Sequence, residues 1–325
     1  MVTSKGVGLA VPDWPTTFGY NMFMFPVSKW VGGVLFEHTH RLIASTVGFL
    51  TIVLAVWIWR SEDRQSVRNL ALVAVAGVIL QGILGGLRVT LIKDQIGILH
   101  ACIAQAFLAL IVLIALCTTR FWRAAIHRVD VARISRVQTI AVVTTIAIYV
   151  QLALGATMRH QHRDLAIIDF PTANGAWVPD TSATALAKIN AWRDLRGLSD
   201  VSAFQIWLQM AHRLLAVAIA IGVIAVGAQL WRPQHSSRPP ILSRLSIFWV
   251  VGIAIQLTLG AWTIWSNKAA DIATAHVAVG AVMLCFGVTI WALCWRVTQL
   301  DADKVGPLRT ADAAARRPYH EEPLV

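Results

Sequence analysis

Seven long, mainly apolar stretches, at approximately 33–59, 69–92, 98–119, 137–158, 203–231, 245–266 and 271–296, constrain this chain more than any other feature. Each reaches the roughly 20 residues that a helix needs to cross a hydrocarbon layer about 30 Å thick. The rest of the composition agrees: 57% of the 325 residues are hydrophobic and 14% charged, and the mean hydropathy is +0.63. A water-soluble α/β enzyme, a nucleic-acid reader and a disordered chain are excluded on these grounds. The fold expected is an all-α polytopic membrane protein.

The formal net charge of +11 then needs a membrane explanation. Arginines crowd alternate gaps between the stretches: Arg60, Arg64 and Arg68; Arg120, Arg123, Arg128, Arg133 and Arg136; Arg232, Arg238 and Arg244. With the tail from Arg296 these regions hold 16 of the 28 basic residues. Basic loops face the cytoplasm, so the chain is expected to begin outside and end inside. Residues 1–30 carry neither a secretory signal pattern nor a span of their own, which suggests that a further helix belongs before the first visible one. The long loop 159–203 contains a segment from Ser182 that reads either as an interfacial helix with Leu186, Ile189 and Trp192 towards lipid or as a solvated turn of helix. The four cysteines, Cys102, Cys117, Cys285 and Cys294, all lie in apolar stretches without a short-spaced pair, arguing against a disulfide framework or a thiolate metal site.

An internal repeat organises the chain. Asp13-Trp14-Pro15 aligns with Asp169-Phe170-Pro171 at an offset of 156, and Leu9-Ala10-Val11 then falls on Leu165-Ala166-Ile167. Further on, Glu37-x-x-His40-Arg41-Leu42 matches Gln209-x-x-His212-Arg213-Leu214, and the helix of His100 matches that of His276. The units expected are a half-bundle over 1–136, a second over 137–296 and a polar tail over 297–325. A shorter pattern, Gln-x-x-x-Gly, recurs at Gln81–Gly85, Gln151–Gly155 and Gln256–Gly260, each ahead of a stretch that carries a histidine near its start. A fourth copy is expected upstream of Met1. The pairs Gly85-Gly86 and Gly260-Ala261 fit either close helix packing or space for a flat macrocycle.

Of ten histidines, His127, His160, His162, His235 and His320 read as loop or tail residues and His38 as a neighbour of His40. His40, His100, His212 and His276 remain, each within the first turns of a stretch that enters from one side. An imidazole inside a membrane is costly and marks function by default. Four at one depth in a duplicated bundle suit two bis-histidine haem sites, His40 with His100 and His212 with His276, since helix bundles hold haem iron by facing side chains. Zinc suits them less well, for no carboxylate or thiolate stands beside the second pair. Arg41 and Arg213 point either to porphyrin propionates or to lipid headgroups. The halves differ at one telling position: Glu37 precedes His40 by three residues, where Gln209 precedes His212. Residues three apart share a helix face, so only the first site has an ionisable partner, either for proton transfer or as a salt bridge to Arg41 one turn on.

These residues together, with Gly8-Leu-Ala-Val-Pro-Asp-Trp-Pro15 and Phe170-Pro171 followed by Asn174-Gly175, resemble the haem A synthase family over residues 2–296. The resemblance implies an eight-span duplicated bundle that converts haem O to haem A for terminal oxidases. It implies a resident haem b on His212 and His276, a substrate haem O between His40 and His100, and Glu37 as the catalytic group. The C8 methyl group of haem O would be oxidised through an alcohol and a gem-diol to the formyl group. Implied partners are a haem O synthase, terminal-oxidase assembly factors, an electron-transfer partner and membrane lipid, with no nucleic acid. Many bacterial members carry a cysteine pair in the first outer loop; residues 1–32 have no cysteine, so the chain is similar to the branch without it. With no Arg- and Ser-rich leader, a bacterial cytoplasmic membrane is expected, the haem sites towards its outer face. Two other readings use the same histidines: a di-haem electron-transfer cytochrome, and a protein that binds and delivers haem without turnover.

Overall fold

A computed structural model describes residues 10–123, 131–161, 165–231 and 240–315. Its helices are α1 (Gly32–Ser61), α2 (Gln65–Leu91), α3 (Asp94–Thr118), the short α4 (Arg120–Arg123), α5 (Val131–Gln161), α6 (Ala183–Asp194), α7 (Ala203–Trp231), α8 (Pro240–Trp265) and α9 (Ala270–Ala315). Among the described residues, seven are long and apolar enough to cross a membrane, namely all but α4 and α6. This is a polytopic all-α membrane protein. Most of the spanning helices extend past their apolar stretches, because backbone hydrogen bonding continues into the flanking polar residues, whereas α7 coincides with its stretch. The longest extension is that of α9, which runs on to Ala315; α5 takes in His160, which is therefore helical, not part of a loop.

Helices α5, α7, α8 and α9 close into a ring in which each packs on the next and α9 returns to α5. Small residues let α5 approach two neighbours closely: the Thr144 side chain rests on Gly222 of α7 and that of Thr145 on Gly287 of α9. On the amino-terminal side α1 packs on α2 and α2 on α3, while α3 also meets α5 and α9 and joins the halves. Among the described helices α2 alone packs on both α1 and α3, whereas α8 and α5 both pack on α7 and α9.

The two larger apolar cores sit away from the histidines. One runs through Val137, Ala141, Ile219, Val223, Trp249, Met283 and Ile290 in the closed ring. The other, with Ile58, Val67, Ala71, Ile114 and Cys117, binds the ends of α1, α2 and α3 remote from His40 and His100. Side chains thus fill the bundle in its middle and at that remote end, and the histidine end is built from polar groups, glycines and two loops. All four cysteines are unpaired.

A third cluster, Ala166, Ile167, Ala173, Val201, Ile206 and Met210, forms beneath the loop before α7. Leu186 and Ile189 of α6 pack onto it, so this helix turns those two residues towards protein, whereas the sequence suggested lipid or water. Its register is set by Asn190, which exchanges hydrogen bonds with the Val201 backbone (3.0 and 2.9 Å), and by buried Arg193, which donates to the carbonyls of Ser199 and Leu165.

Candidate functional site

Two loops of one design cap the histidine end. In the first, the Asp13 carboxylate accepts the backbone N–H groups of Phe18 (2.8 Å) and Gly19 (2.9 Å) and the Thr16 hydroxyl. In the second, Asp169 accepts those of Asn174 (2.7 Å) and Gly175 (2.9 Å) and the Thr172 hydroxyl (2.7 Å). The correspondence is residue for residue at the offset of 156. Both turns need positive φ at two successive positions, Phe18 and Gly19, then Asn174 and Gly175. Asn tolerates that conformation locally; a Phe there costs about 1 kcal/mol. Burial works to raise the carboxyls of Asp13 and Asp169, but the Gly, Thr and Phe or Asn donors outweigh it and hold both below the ordinary carboxylate value.

An arginine fastens each loop to its histidine helix. Arg41 donates through Nη1 to the carbonyls of Asp13 (2.7 Å) and Thr16 (3.0 Å), and through Nη2 to that of Val11 (3.0 Å) and to Glu37 Oε1 (3.0 Å). Arg213 donates to the matching carbonyls of Asp169 (2.7 Å) and Thr172 (2.8 Å). Both guanidinium groups are thus committed to loop carbonyls.

Glu37 and Gln209 are buried and perform the same backbone task differently. Glu37 Oε2 accepts the N–H of Val11 (3.1 Å), and Gln209 Oε1 accepts that of Ile167 (2.9 Å). Gln209 also donates to the Ile167 carbonyl (2.9 Å). A carboxylate has no proton to donate, so in the first half Arg41 serves the Val11 carbonyl instead. The salt bridge of Glu37 with Arg41 is formed. His38, on the other side of α1 from His40, is fully buried between Phe25 and Trp30 and shares a hydrogen bond with Thr17.

The recurrent Gln-x-x-x-Gly pattern seats the histidines. Gln81 donates to the His100 carbonyl (3.0 Å) and Gln151 to that of His212 (2.8 Å). One turn on, the missing side chain of glycine makes room for the imidazole edge: a Cβ on Gly85 would lie 3.5 Å from His100 Cε1, one on Gly155 3.5 Å from His212 Cε1, and one on Gly260 3.2 Å from His276 Cε1. Gly86, next to the first seat, accommodates the indole of Trp14, at 2.6 Å from such a Cβ. His40 is exposed and has no glycine seat among the described residues.

The second pair is already assembled. The His212 and His276 rings stand with centroids 6.4 Å apart, and the buried Nδ1 of each has no hydrogen-bond partner. A metal–imidazole bond of about 2 Å with the further distance from nitrogen to ring centre, doubled, comes to roughly 6 Å. The pair therefore has the spacing that one metal held between two imidazoles needs. His40 and His100 share the same end of the bundle and lie within electrostatic reach of one another.

Residues 1–288 match the family model described as cytochrome oxidase assembly protein. The chain belongs to that family. Among its relatives, a heme A synthase of Shouchella clausii is 28% identical over 273 residues, covering 80% of this chain and 81% of the relative. A heme A synthase of Geobacillus kaustophilus is 24% identical over 326 residues, covering 97% of this chain and 90% of the relative. Of the residues at this end of the bundle, the sequence points to the four histidines and to the exchange of Glu37 for Gln209. It did not single out Arg88, Asp94, Gly97, Arg159 or the place of His160, which gather beside His100. One signal was available, since an arginine inside an apolar stretch is itself conspicuous.

Proposed function

We propose that this protein makes haem A, oxidising the C8 methyl group of haem O to a formyl group at the His40 and His100 pair. Family membership and the names of its relatives support the activity. The observation that carries the assignment of the two sites is the exchange of Glu37 for Gln209 within otherwise duplicated loops. Written as a half-reaction, a methyl group and one water give a formyl group, four protons and four electrons; the electrons would leave to an electron-transfer partner, and Glu37, one turn from His40, is the group at the first site that takes up protons. Arg41 orients that carboxylate and, with Val11, ties it to the loop. His212 and His276 would hold a resident haem b, which supplies one-electron transfer. Gln209 keeps the second site neutral. Arg41 and Arg213 act on the porphyrins at one remove, through the loops they fasten.

In this reading the halves are 1–136 and 137–296, set in a bacterial cytoplasmic membrane with the histidines towards the outer face and the tail 297–325 in the cytoplasm. The distribution of basic residues supports that orientation. A haem O synthase and terminal-oxidase assembly factors are the partners that such a reaction requires.

Co-expression with a haem O synthase, followed by pigment extraction, tests the reading. The expected result is haem A from the wild type and haem O alone from Glu37→Gln, with haem content unchanged. Haem A at wild-type level in that variant removes Glu37 from the reaction; b-type haem alone from the wild type marks an electron carrier, and bound but unconverted haem O a delivery protein.

A further inference from the structure

We propose that Arg88, with His160 beside it, seats a carboxylate side group of the porphyrin bound between His40 and His100; the inference rests on the placement of the substrate site above. Arg88 lies on α2 three residues after Gly85, whose open face meets His100 at 3.5 Å. It therefore shares that face and sits about 4.5 Å nearer the histidine end. A second helix leads to the same place. Gly97 precedes His100 by three residues on α3, and a Cβ there would lie 2.6 Å from His160 Cε1 and 2.8 Å from its Nδ1. The imidazole of His160 is thus laid against α3, again one turn from His100 towards the same end. α2 packs on α3 and α3 on α5, so Arg88 and His160 converge on the space between His100 and the capping loops.

Charge marks that space as an anion site. Arg88 is within electrostatic reach of His40, His100, His160, Glu37 and Asp94, and Arg159 is within reach of Arg88. Among the described residues no carboxylate or carbonyl accepts a hydrogen bond from Arg88. Glu37 is already bound to Arg41. A guanidinium on an apolar helix, as Arg88 is, is costly without a partner. A guanidinium offers a planar fork that matches a carboxylate. Arg41 has no such freedom, because both its terminal nitrogens serve the loop and Glu37. The second half lacks the device: counting from Gly260 as Arg88 is counted from Gly85 gives Thr263, whose hydroxyl is turned back to the Leu259 carbonyl.

The experiment titrates the full-length purified protein, carrying haem at its second site, with ferric protohaem and with its dimethyl ester, following absorbance. The ester keeps ring and iron and removes both negative charges. The wild type should bind the free acid at least tenfold more tightly than the ester. Arg88→Gln should weaken the free acid by about ten- to a hundredfold and leave the ester unchanged, and Arg88→Lys should recover part of the loss. Equal loss for acid and ester, or none for either, overturns the seat. If Arg88→Gln also loses the second-site band and has misfolded, the wild type decides: equal binding of acid and ester overturns the proposal. A protein that shows the Arg88 dependence yet makes no haem A would overturn the proposed activity and leave the seat standing.

Discussion

At the scale of single residues, one exchange illustrates how a duplicated site becomes two. Gln209 both accepts from and donates to Ile167, whereas Glu37 accepts from Val11 and leaves the Val11 carbonyl to Arg41. Glu37→Gln therefore recreates a hydrogen-bond pattern that the chain already uses elsewhere, and it should fold. Arginine is harder to replace. Arg213 spans two carbonyls with two nitrogens, which a lysine ammonium cannot do in one geometry. Arg213→Lys is expected to lose about 1.5 kcal/mol of local stability, read as roughly tenfold faster proteolysis within 165–182 at unchanged thermal stability of the bundle. The exchange of Glu for Gln is visible in the sequence, since three-residue spacing assigns a helix face. The partners are not, because the loop atoms that Glu37 and Arg41 meet come from 25 to 30 residues away.

At the scale of elements, the Gln-x-x-x-Gly turn and the Asp-capped loop each solve one problem repeatedly. The first holds a histidine by its backbone and clears space for its ring. At Gly155 the clearance of 3.5 Å admits a methyl group but nothing branched. Gly155→Ala should keep the low-spin haem absorbance of the second site, and Gly155→Val should abolish it by displacing His212. The loops depend on ionised Asp13 and Asp169. Because their folded-state pKa values lie below the unfolded value of about 3.9, their contribution is present above that pH and is lost as pH falls through the lower, folded values. Tryptophan fluorescence from Trp14 and Trp177 should report loop release in strong acid before the helices unfold, and Asp169→Asn should remove the acid dependence of the second loop while leaving that of the first. The recurrence of both elements is legible in the sequence as a repeat. Their purpose is less so: the glycine pairs read equally well as helix packing until His100, His212 and His276 are seen against them.

For the whole molecule, the cores leave the histidine end for the site. Apolar packing on one side and glycine seats on the other mean that damage to each should have distinct consequences. Gly287→Leu would drive a branched chain into Thr145 and Trp249 between α5 and α9. Overpacking of that kind costs about 1–3 kcal/mol and should lower the thermal midpoint of the carboxyl-terminal ring. The loop turns fastened by Arg41 and Arg213 should survive it, as read by proteolysis. The two halves remain unequal at this scale too, with α5 shared between them through its contacts with α3.

What the sequence determined by itself follows from local rules. Apolar length fixes the spans, the offset of 156 fixes the duplication, and helical spacing puts each histidine at the entrance of its helix. What only the tertiary structure decided are the meetings between helices. It brought His212 to 6.4 Å from His276, turned Arg41 and Arg213 to the loops, and set Arg88 and His160 on either side of the approach to His100. The physical reason is that periodicity assigns a residue to a face of its own helix, while the partner opposite that face depends on which helices pack together and in what register.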